Sequence, residues 1–313
     1  MYSIGVDIGG TKILAGIVSK NGEVLYKRKI PTPELGRDEI LILLKEAILK
    51  MTEWADTEAI PLEKIGIGTA GQVDFIKGVV LSGTTNIKDW GDVFLREEVE
   101  KYTHLPIYID NDVNVLTLAE HQLGAAKGYK EVVCLALGTG VGGGVITNGA
   151  LLRGAWGGAA ELGHMTLDMN GEQCNCGMRG CLETYASGTW VAKRMENLMQ
   201  LQNPSSGSSL LITSQQTFQL YHEGDLMAKQ VVHTMITGLA HGVVNLIHTF
   251  NPQIIVLGGG VMENGHWIIE LLQKKIHTIG LQSLIKDVKI ELSQMHTESG
   301  LIGAALLGVA KVM

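Results

Sequence analysis

Apolar and polar residues recur with two different periods in the first part of the chain, and these periods predict strands followed by a helix. Residues 3–30 read SIGVDIGGTKILAGIVSKNGEVLYKRKI, which predicts three strands joined by a Gly-Gly turn and by the hairpin signal Asn21-Gly22. From Arg37 to about Glu58 apolar residues return every three or four positions, which predicts an amphipathic helix. The segment KIGIGTAG that follows predicts a buried strand.

The rest of the chain alternates predicted strands and helices, which is typical of an α/β fold. Strand, turn and helix are predicted in LPIYIDNDVNVLTLAEHQLGAA, and two strands around a glycine-rich loop in EVVCLALGTGVGGGVITNGALL. Further strands are predicted in NPQIIVLGGGV and KDVKIELSQM, and LQNPSSGSSLL is predicted to be a polar connection. The remaining predicted helices span Tyr185–Gln200, Asp225–Phe250, about Asn264–His277 and Glu298–Val312.

Composition narrows the class of protein. A chain of 313 residues with 45% hydrophobic residues predicts two domains or one large domain with substantial cores. A net charge of −7 argues against a nucleic-acid partner held through phosphates. We find no apolar run of membrane-spanning length and no signal peptide at the start, so we expect a cytoplasmic protein without a membrane span.

Three of the four cysteines lie within eight residues, at Cys174, Cys176 and Cys181, and His164 precedes them by ten positions. Three thiolates and one imidazole match a closed tetrahedral zinc site, which would be structural because no position is left for water. Gly177 and Gly180 allow the tight turns that such a site needs. The alternative is three small buried thiols and an unrelated histidine.

Two glycine-rich turns are candidates for binding phosphate. The turn Asp7-Ile8-Gly9-Gly10-Thr11-Lys12 offers backbone amides, a hydroxyl and an ammonium group, although an ordinary Gly-Gly hairpin has the same pattern. The glycines in LGTGVGGG formally match GxGxxG, but the next residues predict a strand instead of the helix that a dinucleotide fold requires. A phosphate-binding loop between two strands fits these residues better than a dinucleotide site does. No GxxxxGK[ST] motif is present, which excludes a P-loop.

Taken in order, DIGGTK, DNDVN, LGTGVGGG, E-x-G-H, C-x-C-G-x-x-G-C-x-E and VLGGGV resemble the ROK family of repressors, open reading frames and sugar kinases, over essentially the whole chain. The resemblance implies the actin-like, hexokinase-like (ribonuclease H-like) fold, with two α/β domains around an interdomain cleft. We expect a small N-terminal domain of residues 1–117 plus 298–313 and a large domain of residues 118–297 with the zinc site. The last helix, GLIGAALLG, should then pack closely on a partner such as the helix after Asp112.

The resemblance also implies roles for individual residues. Asp112 would be the general base, and a helix N-cap is the simpler role for Asn111 and Asp112. The sugar would contact Gly71, Asn86, Asn111, Asp112, Glu161, His164 and Glu183. ATP and Mg²⁺ would contact Asp7, Gly9, Gly10, Thr11, Lys12, Gly138, Thr139, Gly140, Gly258, Gly259 and Gly260. His164 would bind zinc through one nitrogen and a sugar hydroxyl through the other.

The implied activity is transfer of the γ-phosphoryl group of ATP to the 6-hydroxyl of a hexose, with glucose as the leading substrate. The alternatives within the family are N-acetylmannosamine or N-acetylglucosamine, fructose and β-glucosides, and outside catalysis a sugar sensor. Thr84-Thr85 stand where Ser-Pro is usual and Ala160 where glycine is frequent, which leaves the sugar open. Because DIGGTK begins at residue 7, we expect no DNA-binding domain before it, and the resemblance implies a homodimer or homotetramer.

Overall fold

The computed structural model describes residues 1–83, 87–202, 212–295 and 298–308. Its strands are β1 Tyr2–Ile8, β2 Lys12–Ser19, β3 Val24–Pro31, β4 Leu62–Thr69, β5 Gln72–Asp74, β6 Val79–Ser82, β7 Ile107–Asn111, β8 Val132–Leu137, β9 Val141–Thr147, β10 Ala150–Leu151, β11 Ile254–Gly258 and β12 Lys289–Leu292. Its α-helices are α1 Arg37–Thr57, α2 Leu95–Glu100, α3 Asp112–Gln122, α4 Glu183–Ala186, α5 Gly188–Gln202, α6 Ser214–Glu223, α7 Leu226–Phe250, α8 His266–Ile276, α9 Gln282–Ile285 and α10 Ser299–Leu306.

The chain divides into two compact units. Unit 1 comprises Met1–Lys130, Gly144–Ala160 and Gln294–Met313, and unit 2 comprises Glu131–Gly143 and Glu161–Ser293. The predicted boundaries, residues 1–117 plus 298–313 and residues 118–297, stay a prediction. One five-stranded sheet has the order β3-β2-β1-β4-β7, and a second has the order β10-β9-β8-β11-β12.

The first sheet lies in unit 1 and buries a different helix on each face. Because side chains alternate along a strand, Ile13, Ala15 and Ile17 of β2 point into the core that α1 covers. Leu14 and Val18 of the same strand point to the opposite face, where they pack with residues of α3 and α10. Alternate side chains of β2 therefore pack into two separate cores, one on each face of the sheet.

Glycines on the second face let α10 approach the sheet closely. A Cβ at Gly66 of β4 would lie 1.7 Å from the carbonyl oxygen of Ala304, and one at Gly303 would lie 1.8 Å from that of Val115 on α3. No larger residue fits at either position, because real Cβ atoms do not approach within 3.0 Å. The small-residue helix predicted at the end of the chain thus packs between the sheet and α3.

Unit 2 contains the parallel strands β8, β11 and β12 and most of the helices. Ile254 of β11 pairs with Val132 of β8, and the parallel register continues to Gly258 opposite Ala136. The long helix α7 is mostly buried. It is long and apolar enough to cross a membrane, but 67% of its 18-residue apolar window is buried among its neighbours, as in the core helix of a soluble protein.

Several details differ from the sequence predictions. The helix predicted from Tyr185 is split into α4 and α5 at Ser187, where the backbone is extended. The helix α6 was not predicted, although Thr213 and Gln216 form the capping box that signals its start. The predicted connection LQNPSSGSSLL and the end of the last predicted helix lie largely outside the described residues.

Candidate functional site

In unit 1 the predicted site residues follow three neighbouring parallel strands. Strands β1, β4 and β7 run in the same direction, and in their register Asp7 pairs with Gly68 and Thr69 pairs with Asn111. The carboxyl ends of parallel strands meet at one edge of a sheet, where α/β proteins bind ligands. The fold thereby brings Asp7, Gly71, Asn111 and Asp112 to the same edge.

The two carboxylates at this edge, Asp7 and Asp112, both have raised pKa values. Burial raises the pKa of Asp112 to about 7, and the nearby charge of Asp7 contributes to this rise. Burial likewise raises the pKa of Asp7 to about 6, and the Lys12 ammonium partly opposes this rise. A carboxylate with a pKa near neutrality is suited to accept a proton in catalysis.

Asn111 serves as the N-cap of α3. Its Oδ1 accepts hydrogen bonds from the amides of Val113 at 2.8 Å and Asn114 at 3.2 Å, and its Nδ2 donates to the Gly71 carbonyl at 3.0 Å. The structure therefore shows the capping role that the residue type predicted for Asn111. The cap fixes Asp112 at the first position of the helix, where its own Oδ1 accepts from the Val113 amide at 2.9 Å.

Asp110 and Arg153 form a buried ion pair that the sequence did not predict. Arg153 Nε lies 2.8 Å from Asp110 Oδ2, and the two side chains are 9% and 1% exposed. The other oxygen, Oδ1, accepts from the Asn111 amide at 2.9 Å and from Asn114 Nδ2 at 2.7 Å. The pair thus holds the turn that carries Asn111 and Asp112. No local sequence signal could have revealed it, since the partners are 43 residues apart.

The turn between β1 and β2 is closed by backbone hydrogen bonds. The Gly9 amide donates to the Lys12 carbonyl at 3.0 Å, and the Thr32 hydroxyl donates to the Gly9 carbonyl at 2.6 Å. The amides of Gly10 and Thr11 have no protein acceptor among the described residues. These two amides and the Lys12 ammonium are therefore the groups of this turn that can bind an anion.

In unit 2 the two predicted glycine loops lie side by side. They follow the carboxyl ends of the adjacent parallel strands β8 and β11, and Gly259 approaches the first loop so closely that a Cβ would lie 2.4 Å from the Leu137 carbonyl oxygen. Gly259 also has a φ of 86°, which favours glycine. The segments Gly138–Gly140 and Gly258–Gly260 are thus brought together, as expected of two loops that share one ligand.

The four predicted metal ligands converge in unit 2. One ligand atom from each of His164, Cys174, Cys176 and Cys181 lies within 4.8 Å of all the others. His164 Nδ1 is 3.6 Å from Cys174 Sγ, and Cys176 Sγ is 3.6 Å from Cys181 Sγ. Tetrahedral zinc with bonds of about 2.0–2.3 Å places its ligands about 3.5–3.8 Å apart, so this set fits the ion. The sulfur separation is too long for a disulfide.

Glu183 joins the cysteine cluster to the first glycine loop. Its Oε1 lies 3.8 Å from Cys174 Sγ, and its Oε2 accepts a hydrogen bond from the Val141 amide at 3.0 Å. The predicted sugar ligand therefore has one oxygen fixed by the backbone that follows Gly140.

This contact predicts an unequal effect of alanine at two glycines of the loop. A Cβ at Gly140 would lie 2.4 Å from Glu183 Oε2, whereas one at Gly138 would meet no atom within 4 Å. We expect Gly140→Ala to displace the carboxylate and lower the free energy of unfolding by about 1–3 kcal/mol. Gly138→Ala is the matched control and should change stability by less than about 0.5 kcal/mol. Chemical denaturation without ligands measures both, and equal stabilities would refute the contact.

The remaining predicted sugar ligands are Glu161 and Asn86. Glu161 is exposed and begins the second segment of unit 2. Ala160 before it has a φ of 66°, a left-handed conformation that favours glycine. This conformation explains why glycine suits the position where the sequence has alanine. Asn86 and the neighbouring Thr84-Thr85 lie outside the described residues.

Comparison with known proteins defines the class of this chain. The family description "ROK family" matches residues 3–311, so the chain belongs to the ROK family. A glucokinase of Thermotoga maritima is 35% identical over 308 residues, covering 96% of this chain and 95% of that protein. A xylose repressor of Bacillus spizizenii is 28% identical over 279 residues, covering 88% of this chain and 68% of that protein.

A solved structure extends the likeness to the fold. The ROK family glucokinase from Streptomyces griseus, solved in complex with glucose and AMPPNP, is 32% identical and superposes with a TM-score of 0.81. The match covers 98% of this chain and 99% of that chain. The α/β fold of the ROK sugar kinases, with its actin-like architecture, is confirmed for this protein.

Proposed function

We propose that this protein is an ATP-dependent hexose kinase that phosphorylates the 6-hydroxyl of glucose. The observation that carries the proposal is Asp112, a half-buried carboxylate at the start of α3 whose pKa is raised to about 7. Glucokinase relatives at 32–35% identity over nearly the whole chain support the same activity. A protein that only senses sugar does not need such a base.

Separate groups of residues would transfer the proton, bind the sugar and bind ATP. Asp112 accepts the proton of the sugar hydroxyl as that oxygen attacks the γ-phosphorus of ATP, and the bond from phosphorus to the β,γ-bridging oxygen breaks. Asn111, Glu161, His164 and Glu183 bind sugar hydroxyls. Lys12 and the amides of Gly10 and Thr11 bind phosphate oxygens, as do the amides of Thr139 and Gly140, whereas the Gly138 amide already donates to the Gly140 carbonyl. Gly258–Gly260 contact the adenosine.

Two metal ions complete the proposal. Mg²⁺ would neutralise phosphate charge when bound, and the half-buried Asp7 carboxylate is a hard oxygen ligand that suits it. Zn²⁺ would be held by His164, Cys174, Cys176 and Cys181, where it supplies structural stability. Because His164 Nδ1 faces Cys174 Sγ, its Nε2 is the nitrogen left for the sugar.

The raised pKa values predict a pH dependence. A general base acts only when deprotonated, so kcat/KM should increase with pH through about 7 and then level off, because the pKa of Asp112 is raised to about 7. Steady-state kinetics between about pH 5.5 and 8.5 measure this. The residual activity of Asp112→Asn is the control, and its kcat/KM should not show the increase with pH that Asp112 causes. A parent enzyme whose kcat/KM stays constant down to about pH 5.5 would contradict the assignment.

A coupled assay of ADP formation tests the activity and the sugar together. The panel contains glucose, mannose, fructose, N-acetylglucosamine, N-acetylmannosamine and a β-glucoside, each with Mg²⁺ and ATP. We expect the highest kcat/KM with glucose, because one misplaced hydroxyl or acetamido group leaves buried polar groups unpaired. A higher value with an amino sugar would replace glucose as substrate, and no turnover with any sugar would overturn the kinase assignment.

A sugar-responsive regulator is the second candidate, since a protein named a xylose repressor matches 88% of this chain. Calorimetry of sugar binding, together with the assay of ADP formation, distinguishes the two functions, because a regulator would bind sugar without consuming ATP.

We further propose that the protein is cytoplasmic and forms a homodimer or homotetramer, and that it does not act on nucleic acid or membranes. Four free cysteines support a reducing compartment. Light scattering after gel filtration measures the oligomeric state.

A further inference from the structure

Helices α6, α7 and α8 of unit 2 line a groove that contains none of the residues assigned to sugar, ATP or zinc. The groove has a volume of about 430 Å³. Small-molecule sites in proteins typically have volumes of about 300–1,000 Å³. Val232, Ile236 and Leu271 provide an apolar floor, and the first two are 1% and 6% exposed. The groove is therefore large enough for a small molecule with an apolar part.

Positive charge is concentrated along this groove. Lys229 lies in the first part of α7, and Lys274 and Lys275 lie in the last turn of α8. No carboxylate lines the groove, and none of the three lysines forms an ion pair among the described residues. In a chain of net charge −7, an unpaired basic cluster attracts anions.

An aromatic ring at the groove adds a second requirement. Tyr221 lines the groove and stacks on Trp267, with ring centroids 5.1 Å apart and planes 23° apart, so the phenol ring has a fixed orientation. A ligand with a flat apolar body could pack against this ring.

We propose that this groove binds a small organic phosphomonoester. The phosphate contacts the ammonium groups of Lys229, Lys274 and Lys275, and the organic body lies on Val232 and Leu271 beside Tyr221. Lysine ammonium groups suit phosphate as point charges with rotatable donors. The site is independent of the kinase activity proposed above, because it uses none of the same residues.

Calorimetric titration of the full chain with phenyl phosphate tests the site. We expect one molecule to bind per chain with a dissociation constant on the order of 1 mM. Lys229→Gln/Lys274→Gln should weaken binding at least tenfold, while Lys275 remains to complement the end of α8. The matched control, Lys127→Gln/Lys286→Gln, removes the same charge from two exposed lysines elsewhere and should bind as the parent does. All these lysines are partly or fully exposed, so the variants should keep the melting temperature of the parent.

Inorganic phosphate and phenol are the further probes. If the groove takes an organic phosphomonoester, phenol should not bind measurably and inorganic phosphate should bind several-fold more weakly than phenyl phosphate. Equal affinity for the two phosphates would overturn the role of the apolar floor. Equal loss of affinity in the two double variants, or no binding by the parent at about 20 mM phenyl phosphate, would overturn the site.

Discussion

Replacing Asp112 with asparagine is expected to lower kcat by about 10²–10⁴-fold with glucose while leaving the fold and the binding of glucose intact. Asparagine has the same size and keeps an oxygen that can accept from the Val113 amide, as Asp112 Oδ1 does at 2.9 Å. It cannot accept the proton of the sugar hydroxyl. Steady-state kinetics measure the loss, and calorimetry measures glucose binding. A kcat within a few-fold of the parent would show that Asp112 is not the base.

The same variant should be more stable than the parent at neutral to alkaline pH. The pKa of Asp112 is raised to about 7 in the folded protein, from an ordinary value of 3.8. The ionised carboxylate therefore opposes folding increasingly as pH rises from about 4 through 7, and this cost is absent below about pH 4. Asparagine carries no such cost. Asp112→Asn should accordingly melt at a higher temperature than the parent at about pH 8, and a lower melting temperature there would mean that the hydrogen bond from the Val113 amide to residue 112 has been lost.

Removing zinc is expected to destabilise unit 2 severely. The free energy of zinc binding by structural sites in small domains is on the order of 10 kcal/mol, and it becomes folding free energy because the unfolded chain lacks a formed site. We expect one zinc per chain by elemental analysis of protein purified without chelator. Excess chelator should lower the melting temperature strongly, and re-addition of zinc should restore it. Purified parent without stoichiometric zinc would refute the site.

Two buried cysteines offer a matched comparison for the metal. Cys181 belongs to the cluster and Cys134 lies in β8, and both side chains are 0% exposed. Replacing either with alanine removes one buried sulfur atom, so the loss of packing is similar. Only Cys181→Ala removes a metal ligand. We expect Cys134→Ala to retain one zinc per chain and Cys181→Ala to lose zinc and several kcal/mol of stability.

The sequence by itself determined the parts of this protein that depend on short separations along the chain. Strand and helix periods predicted most of the elements, because side-chain direction repeats every two or 3.6 residues. The spacing of Cys174, Cys176 and Cys181 predicted the cysteine cluster, since two glycine turns suffice to close it. Family motifs supplied the residue roles, and Asp7 and Asp112 proved to lie at one edge because β1, β4 and β7 are parallel neighbours.

Tertiary structure alone decided how these residues are held and charged. Arg153 reaches Asp110 across 43 residues, and Glu183 reaches the Val141 amide across 42. No local pattern encodes such contacts, because each depends on how separate elements pack. The pKa of Asp112 is likewise a property of packing, since it rises through burial and the charge of Asp7, 105 residues earlier in the chain. Desolvation and charge act through space, so only the folded arrangement of distant segments could determine them.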